Sequence, residues 1–265
     1  MPINISSKDN ERVKYTKSLL KSKNRQKESK YIIEGYRILT LAIECNADLD
    51  YVFINESFED KEEHKRFLTV LEEKNIRVFK TTNKIFKELV DTENTQGILG
   101  VIKFKDKKIE HNIKCEDRFV LILDRIQDPG NMGTIIRTAD SAGVDSVILL
   151  KGCVDIYNPK VIRSTMGSIF DMNVIHATQD EAVEFLKSND FNIVSSYLQT
   201  ENYYHETTYD GKIALVIGNE ANGINDKLIE QSDKLVKIPI YGNAESLNAA
   251  ISAAVLMYEI KKYLA

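Results

Sequence analysis

The stretch IALVIGNEANGI, residues 213–224, joins an uninterrupted apolar run to a polar turn that carries glycine. Apolar runs of the same kind occur three more times in the second half of the chain, with helical patterns between them: Phe119–Leu123, Val147–Leu150 and Ile193–Ser195. Strands without polar alternation are typical of a parallel sheet that is buried on both faces. The pattern therefore predicts an α/β domain, a parallel sheet with helices on both of its faces.

The last segment, Ser246–Leu264, is predicted to be one helix with apolar residues on nearly every face. A helix of this composition is normally buried. We expect one side of it to pack on the sheet and the other to be covered by a second subunit.

The first hundred residues alternate strand-like runs with helical patterns and predict a smaller α/β domain. Its predicted strands are Tyr31–Ile33, Tyr51–Asn55, Ile76–Lys80 and Ile98–Phe104, and its predicted helices are Tyr36–Glu44, Glu59–Lys74 and Thr82–Val90. The charged, aperiodic stretch 105–117 is predicted to be a linker. The expected domains are therefore residues 1–104 and 118–265.

The chain has 265 residues and a formal net charge of -4, which by itself disfavours a nucleic-acid partner. Its basic residues are not evenly spread, because residues 8–30 hold nine lysines and arginines against three acids. Such a stretch is either a solvated basic helix or a contact for phosphate groups, and charge alone does not decide between the two.

Several classes of protein are disfavoured by simple absences in the sequence. No run of about 18 apolar residues occurs, and the start of the chain is polar, so neither a membrane helix nor a secretory leader is expected, and the predicted location is the cytoplasm. The three cysteines, Cys45, Cys115 and Cys153, form no CxxC pair and have no clustered histidines beside them. No metal site is predicted.

The usual nucleotide fingerprints are missing as well. The string closest to GxGxxG is GNEANG, residues 218–223, and it has Glu220 where the second glycine would let the backbone approach a pyrophosphate. A carboxylate at that place repels a pyrophosphate. A generic dinucleotide oxidoreductase is therefore disfavoured.

Three polar clusters follow predicted strands, at the edge where open α/β sheets bind ligands. They are DRIQDPGN (124–131), which leads into a helix carrying Arg137, then IGNEANGI (217–224), and IPIYGNAESLN (238–248). Taken singly, Asn131 and Ser246 are predicted to be helix N-caps, and Arg137 to be a snorkelling or ion-paired residue. The order of all three clusters in one domain carries more information than any one of them.

With these clusters, the second domain resembles the SpoU/TrmH ribose methyltransferases of the SPOUT class. The resemblance rests on NMGTIIRTADSAG (131–143), LVIGNEANGI (215–224) and IPIYGNAESLNAAISAA (238–254), which look like the three signature motifs of that family, and on the weaker stretch NPKVIRSTMGSIF (158–170). It covers the whole second domain.

The resemblance implies a cofactor, a set of site residues and an assembly. S-adenosylmethionine is expected to bind in a trefoil knot at the C-terminal end of the sheet, and the protein is expected to be a homodimer. The positions that match the family's cofactor-binding residues are Gly218, Ile238 and Leu247. Those that match the polar residues around the methyl-transfer site are Asn131, Arg137, Glu220, Ser246 and Asn248.

The first domain resembles the family's RNA-substrate-binding domain, which has a fold similar to ribosomal protein L30e. This likeness rests on the short motifs YIIEG (31–35) and TQGI (95–98). It raises the expectation that the basic stretch contacts RNA, through Lys21, Lys23, Arg25 and Lys27. Such a domain favours ribosomal RNA over transfer RNA as the substrate, by analogy only.

The expected reaction is transfer of a methyl group to a ribose 2′-hydroxyl. Arg137 is expected either to act as the base or, more easily for a guanidinium that stays protonated, to clamp an RNA phosphate. Asn131 and Glu220 are expected to orient Arg137, while Ser246 and Asn248 line the ribose pocket. Methylation of a base or of a transfer-RNA ribose, and a non-catalytic RNA-binding module, are the alternatives.

Overall fold

The computed structural model describes residues 2–264, which divide into two compact units. One unit contains the residues up to 105 together with 157–170, and the other contains 106–156 together with the residues from 171 onward. Within the described residues, no helix is both long enough and apolar enough to cross a membrane.

The first unit is built on a mixed five-stranded sheet. Its strands are β1 (Ile3–Ile5), β2 (Lys30–Glu34), β3 (Leu49–Asn55), β4 (Arg77–Thr81) and β5 (Ile98–Lys103), in the order β1-β4-β3-β5-β2. Strands β1, β4 and β3 are parallel, and β5 is antiparallel to both of its neighbours. The four predicted strands are confirmed, and the three-residue β1 was missed because it is too short to show a period.

Between residues 2 and 105, the α-helices of the first unit are α1 (Glu11–Ser18), α2 (Ser22–Glu28), α3 (Tyr36–Glu44), α4 (Glu62–Glu73) and α5 (Asn83–Lys87). The basic stretch is thus two short helices and not one. Val13 and Phe86 pack with Phe53 and Phe79 of the sheet in one apolar cluster. Burial of this cluster fixes one face of α1 and leaves its charged face in solvent.

The second unit has a six-stranded sheet in which every pairing is parallel. The elements of the second unit are, in chain order, α6 (Ile109–Asn112), β6 (Phe119–Leu123), α7 (Pro129–Ser141), β7 (Ser146–Leu149), β8 (Asn173–His176), α9 (Gln179–Ser188), β9 (Phe191–Ser196), β10 (Lys212–Ile217), α10 (Asp226–Glu230), β11 (Lys234–Val236) and α11 (Ala249–Leu264). One helix between β7 and β8, α8 (Pro159–Thr165), belongs to the first unit. The strand order is β11-β9-β10-β6-β7-β8.

Both faces of this sheet are covered, as the apolar runs predicted. Val120 and Ile122 of β6 belong to an apolar cluster that includes residues of α9 and α10, while Leu121 and Leu123 point to the opposite face and are equally buried. Helices α7 and α11 pack on each other, and α11 packs on β10. The predicted fold class is therefore confirmed.

Three sequence expectations need correction in this unit. The stretch predicted as a linker contains α6, and its Ile109 and Ile113 are buried in the core. Strands β8 and β11 were missed because each has only two adjacent apolar residues, Val174–Ile175 and Leu235–Val236, which is too short a run to indicate a strand. The last helix begins at Ala249, not at Ser246.

Candidate functional site

The site lies at the carboxyl edge of the second sheet. Strands β6 and β10 are parallel neighbours whose last residues, Leu123 and Ile217, are paired. Asp124 and Gly218 therefore leave the sheet side by side, and the first two polar clusters begin at the same place. The third cluster follows β11, which runs in the same direction, so it leaves the sheet at this edge as well.

The start of α7 determines which way the first cluster presents its polar side chains. Asp128 is the N-cap, because its Oδ1 accepts the backbone N–H of Asn131 at 2.8 Å, and Pro129 takes the first helical position. Proline is favoured there, since its fixed φ suits a helix and the missing N–H is not needed. The prediction that Asn131 caps this helix is therefore wrong. Its side chain is free to reach across the site.

Asn131 connects all three polar clusters. Its Nδ2 donates to Glu220 Oε1 at 2.7 Å, and its Oδ1 accepts from Asn248 Nδ2 at 3.0 Å. These partners are 89 and 117 residues away in sequence. Three of the five residues predicted to surround the reaction are thus joined by direct hydrogen bonds, which we call the Glu220–Asn131–Asn248 chain.

Asn248 has a second role, because it caps α11. Its Oδ1 accepts the backbone N–H of Ala250 at 2.9 Å. Ser246, predicted to be this cap, is exposed, and its side chain makes no hydrogen bond with any residue between 2 and 264. The cap holds the Asn248 side chain in one orientation while its Nδ2 points to Asn131.

Arg137 lies on α7 and is exposed to solvent. Its guanidinium makes no ion pair or hydrogen bond within the described part of the chain. The expectation that Asn131 and Glu220 orient Arg137 is not met in this state of the protein, since those two side chains bond to each other. All five donors of the guanidinium remain open to an anion from outside the chain.

The three positions expected to hold the cofactor offer backbone groups. A Cβ atom on Gly218 would lie 2.4 Å from the backbone carbon of Gly223, so only glycine allows the chain to fold back here. The N–H and carbonyl groups of Ile238 and Leu247 make no hydrogen bonds with residues 2–264. Tight backbone packing and free backbone groups fit a ligand that is held largely by the main chain.

Sequence reasoning missed the residues that hold the second cluster in place. The turn 219–223 is closed by two backbone hydrogen bonds of 3.0 Å between Asn219 and Gly223. The Asn219 side chain is buried and donates to the carbonyl of Arg125 at 2.9 Å. Asp124, also buried, accepts the N–H of Asn225 at 2.8 Å. The one signal in the sequence was the position of Asp124 directly after a buried strand.

Arg125 and a nearby thiol have shifted acidities. The two hydrogen bonds and the charge of Asp124 raise the pKa of the Arg125 guanidinium. Burial raises the pKa of the Cys153 thiol to about 11. Both groups keep their protons at neutral pH, so neither supplies a base at this edge of the sheet.

The four residues predicted to contact RNA have different environments. Lys21, Lys23 and Lys27 are exposed on and beside α2, and the Lys27 ammonium lies 3.7 Å from the Glu28 carboxylate. Arg25 is only 2% exposed, and its Nη1 donates to the carbonyls of Leu19 and Leu20 at 2.9 and 2.8 Å. Arg25 therefore binds the end of α1, and we exclude it from the proposed RNA surface.

Both units match the sequence models of known protein families. Residues 118–258 match the sequence model of the SpoU rRNA Methylase family, and residues 10–100 match that of the MRM3-like substrate binding domain. Among curated proteins, the chain is 33% identical to the 23S rRNA (guanosine(2553)-2′-O)-methyltransferase RlmP of Bacillus subtilis, over 97% of this chain and 98% of that protein.

Among solved structures that resemble nearly the whole chain, two carry the comparison furthest. One, described as an RNA 2′-O ribose methyltransferase, has a TM-score of 0.83 and 27% identity and covers 99% of both chains. The other, an AdoMet-bound rRNA methyltransferase from Sinorhizobium meliloti, has a TM-score of 0.89 and 25% identity and covers 99% of this chain and 98% of that one. Since the family model matches more than half of the chain and the relative from Bacillus subtilis aligns with nearly all of it, the chain belongs to the SpoU rRNA methylase family.

Proposed function

We propose that this protein methylates a ribose 2′-hydroxyl of ribosomal RNA and uses S-adenosylmethionine as the methyl donor. The observation that carries the proposal is the Glu220–Asn131–Asn248 chain, which joins the three polar clusters at one edge of the sheet. The cofactor supplies an electrophilic methyl group. The residues of this chain supply orientation, which is the main requirement of an in-line transfer.

Arg137 is proposed to bind an RNA phosphate next to the reacting ribose. Its exposed guanidinium has no partner among residues 2–264, and a forked contact with phosphate is the interaction it makes best. The same positive charge lowers the pKa of a nearby hydroxyl, so that its proton passes more easily to solvent water. Ser246, exposed beside the Asn248 cap, is proposed to contact the ribose.

Ribosomal RNA is the proposed substrate class. The relative from Bacillus subtilis is named for 23S rRNA, and it is similar to this chain over both units. A substrate-binding domain of the MRM3-like family precedes the catalytic unit, and the exposed lysines of α2 lie in it. We expect this domain to select the RNA, while the second unit carries out the chemistry.

A homodimer is proposed to form through α11. Ile251 and Tyr258 are each 52% exposed and lie seven residues apart, so they fall on the same side of this helix. Large exposed apolar side chains in a row are typical of an interface. We also propose that the polypeptide forms a trefoil knot at the C-terminal end of the second sheet, as the resemblance to the SpoU/TrmH family implies.

Incubation of the purified protein with ribosomal RNA and methyl-labelled S-adenosylmethionine tests the proposed function. Digestion to nucleosides and mass spectrometry should find the label in a 2′-O-methylated nucleoside. Label in a base would identify a base methyltransferase, and label only in transfer RNA would change the substrate. Binding of RNA without any transfer, in a preparation that does not bind the cofactor, would indicate a non-catalytic RNA-binding module.

A further inference from the structure

The carboxylate of Asp124 is buried inside the second unit. Its side chain is 5% exposed, and it lies directly after β6, at the edge where the proposed methyl transfer occurs. An ionised carboxylate in such a place is costly unless several donors surround it. The groups that donate hydrogen bonds to Asp124 therefore show which segment its carboxylate holds.

Two of those donors come from Arg125, and the third comes from Asn225, the residue directly after the second polar cluster. Arg125 Nε donates to Oδ1 and Nη2 to Oδ2, each at 2.9 Å, while the backbone N–H of Asn225 donates to Oδ2 at 2.8 Å. Arg125 Nη2 also donates to the carbonyl of Gly223 at 3.2 Å. Asp124 thus binds the far end of the turn 219–225 directly, and it binds Gly223 through Arg125.

The near end of the same turn is held by the backbone of the Asp124–Arg125 pair. The N–H of Asp124 donates to the carbonyl of Ile217 at 2.9 Å, and the carbonyl of Arg125 accepts from Asn219 Nδ2 at 2.9 Å. Arg125 has a left-handed backbone with φ of +58°. That conformation is uncommon for a residue with a side chain, and it persists only where surrounding contacts impose it.

Glu220 is the second residue of this doubly held turn. Asn219 Oδ1 accepts the N–H groups of Ala221 and Asn222 at 3.0 and 2.9 Å, so the backbone on both sides of Glu220 is fixed. The Glu220 carboxylate then meets Asn131 at 2.7 Å. Any loosening of the turn moves Glu220 away from Asn131 and moves Gly223 away from Gly218, which it covers closely.

We propose that Asp124 is a positioning residue for methyl transfer: its buried carboxylate holds the turn 219–225, so that Glu220 meets Asn131 while the backbone at Gly218 keeps the shape that accepts the methyl donor. This inference rests on the proposed function. Asp124 contacts neither reactant, and its effect passes through Asn225, Gly223 and Arg125.

The test compares Asp124→Asn with Asp117→Asn. Asp117 is a matched control because it is also buried, 8% exposed, and accepts from the N–H of Lys114 and from Ser146 Oγ at the opposite end of β6. Each variant is tested for thermal unfolding, for S-adenosylmethionine affinity by calorimetry, for amide hydrogen exchange of the peptide that spans 218–226, and for the single-turnover rate of methylation.

For Asp124→Asn we expect faster exchange in that peptide and a loss of cofactor affinity of about tenfold, the loss typical of one charge-assisted hydrogen bond. We also expect a slower single-turnover rate at saturating cofactor and RNA, that is, an effect on kcat as well as on KM. Asp117→Asn should lower the unfolding temperature without any of these three changes. Equal effects of both variants, or wild-type exchange and affinity in Asp124→Asn, would overturn the inference.

A second variant keeps the test decisive if Asp124→Asn does not fold. Arg125→Gln removes the forked partner at a side chain that is 32% exposed, and should produce the same changes in exchange and affinity. Where Asp124→Asn does fold, the double variant should lose no more transfer rate than the worse single variant, since both residues act on one turn. If the two single-variant losses of transfer rate add up in the double variant, Asp124 and Arg125 do not act through the same turn.

The result for wild type separates this inference from the proposed function. Absence of ribose methylation by the wild-type protein would count against the proposed function, whereas exchange and cofactor affinity report on Asp124 without any RNA. Normal methylation by both wild type and folded Asp124→Asn would leave the function standing and remove Asp124 from it.

Discussion

Asn131 Nδ2 donates a 2.7 Å hydrogen bond to Glu220 Oε1 and so joins the first turn of α7 to the loop after β10. The same side chain accepts a bond from Asn248, which caps α11. One loop and the starts of two helices are therefore tied together by one amide group. The loss of this group should affect the reaction more than the fold, because all three side chains lie near the surface of the unit.

The variant Asn131→Ala should lose transfer rate by roughly 10²-fold, since small displacements of groups that orient a reaction have effects of this size. Single-turnover methylation of ribosomal RNA measures this rate. Thr134→Ala is the control, because Thr134 is exposed one turn later on α7. A rate for Asn131→Ala within threefold of the Thr134→Ala rate would show that the amide does not matter for transfer.

Arg137→Ala should abolish methylation and leave cofactor affinity nearly intact, because the guanidinium is proposed to contact RNA and not the methyl donor. Arg137→Lys should restore little, since a single ammonium cannot make the forked contact with phosphate. Calorimetry with S-adenosylmethionine and a methylation assay on the same preparations separate the two effects. Activity retained in Arg137→Ala would reject this assignment.

Replacement of Lys21, Lys23 and Lys27 by alanine should weaken RNA binding and flatten its dependence on salt. The slope of log affinity against log salt is expected to fall by roughly one unit for each phosphate that the protein no longer binds. A matched variant removes the same charge from Lys61, Arg66 and Lys74, which are exposed at or near α4 of the same unit. If both variants change the slope equally, the effect is one of net charge and not of a binding surface.

Arg25→Met should destabilise the first unit by about 3 kcal/mol, because it leaves the carbonyls of Leu19 and Leu20 without their buried donor. Urea unfolding followed by circular dichroism measures the free energy of unfolding. The salt slope of RNA binding should stay at its wild-type value in the folded protein. A changed slope with unchanged stability would return Arg25 to the RNA surface.

Cys153 should resist alkylation at pH 8, while the exposed Cys115 reacts. Burial raises the pKa of the Cys153 thiol to about 11, so the thiolate is present in about one molecule in a thousand at that pH. Its reactivity should grow as the pH rises toward that value. Mass spectrometry after a timed pulse of iodoacetamide follows each cysteine, with urea-unfolded protein as the control. Equal labelling of both cysteines in the folded protein would contradict the partial burial of Cys153.

The sequence supports the fold class well, because four buried strands such as Phe119–Leu123 have no polar alternation and need a covered parallel sheet. The sequence predicts the end residues of helices and strands less well. Asn131 and Ser246 are both good cap residues, yet Asp128 and Asn248 take the caps. Local preference ranks these residues almost equally, and the choice depends on which side chain the rest of the site occupies.

The motif residues are found from the sequence, but their partners are not. Glu220, Asn131 and Asn248 each stand in a recognisable cluster, whereas nothing local indicates that Asn131 bonds to the other two. Asp124 and Asn219 were not singled out because buried polar residues that hold turns have no periodic signal. Arg25 was misjudged because a basic stretch does not reveal which of its cations bends back onto a helix end.

The most direct test of the account is a map of ribose methylation across the ribosomal RNA of cells that lack this gene, complemented with either the wild-type protein or Asn131→Ala. We expect one ribose methylation to disappear in the deletion, to return with the wild-type protein, and to stay absent or greatly reduced with the folded Asn131→Ala variant. An unchanged methylation map in the deletion, or full restoration by Asn131→Ala, would contradict it.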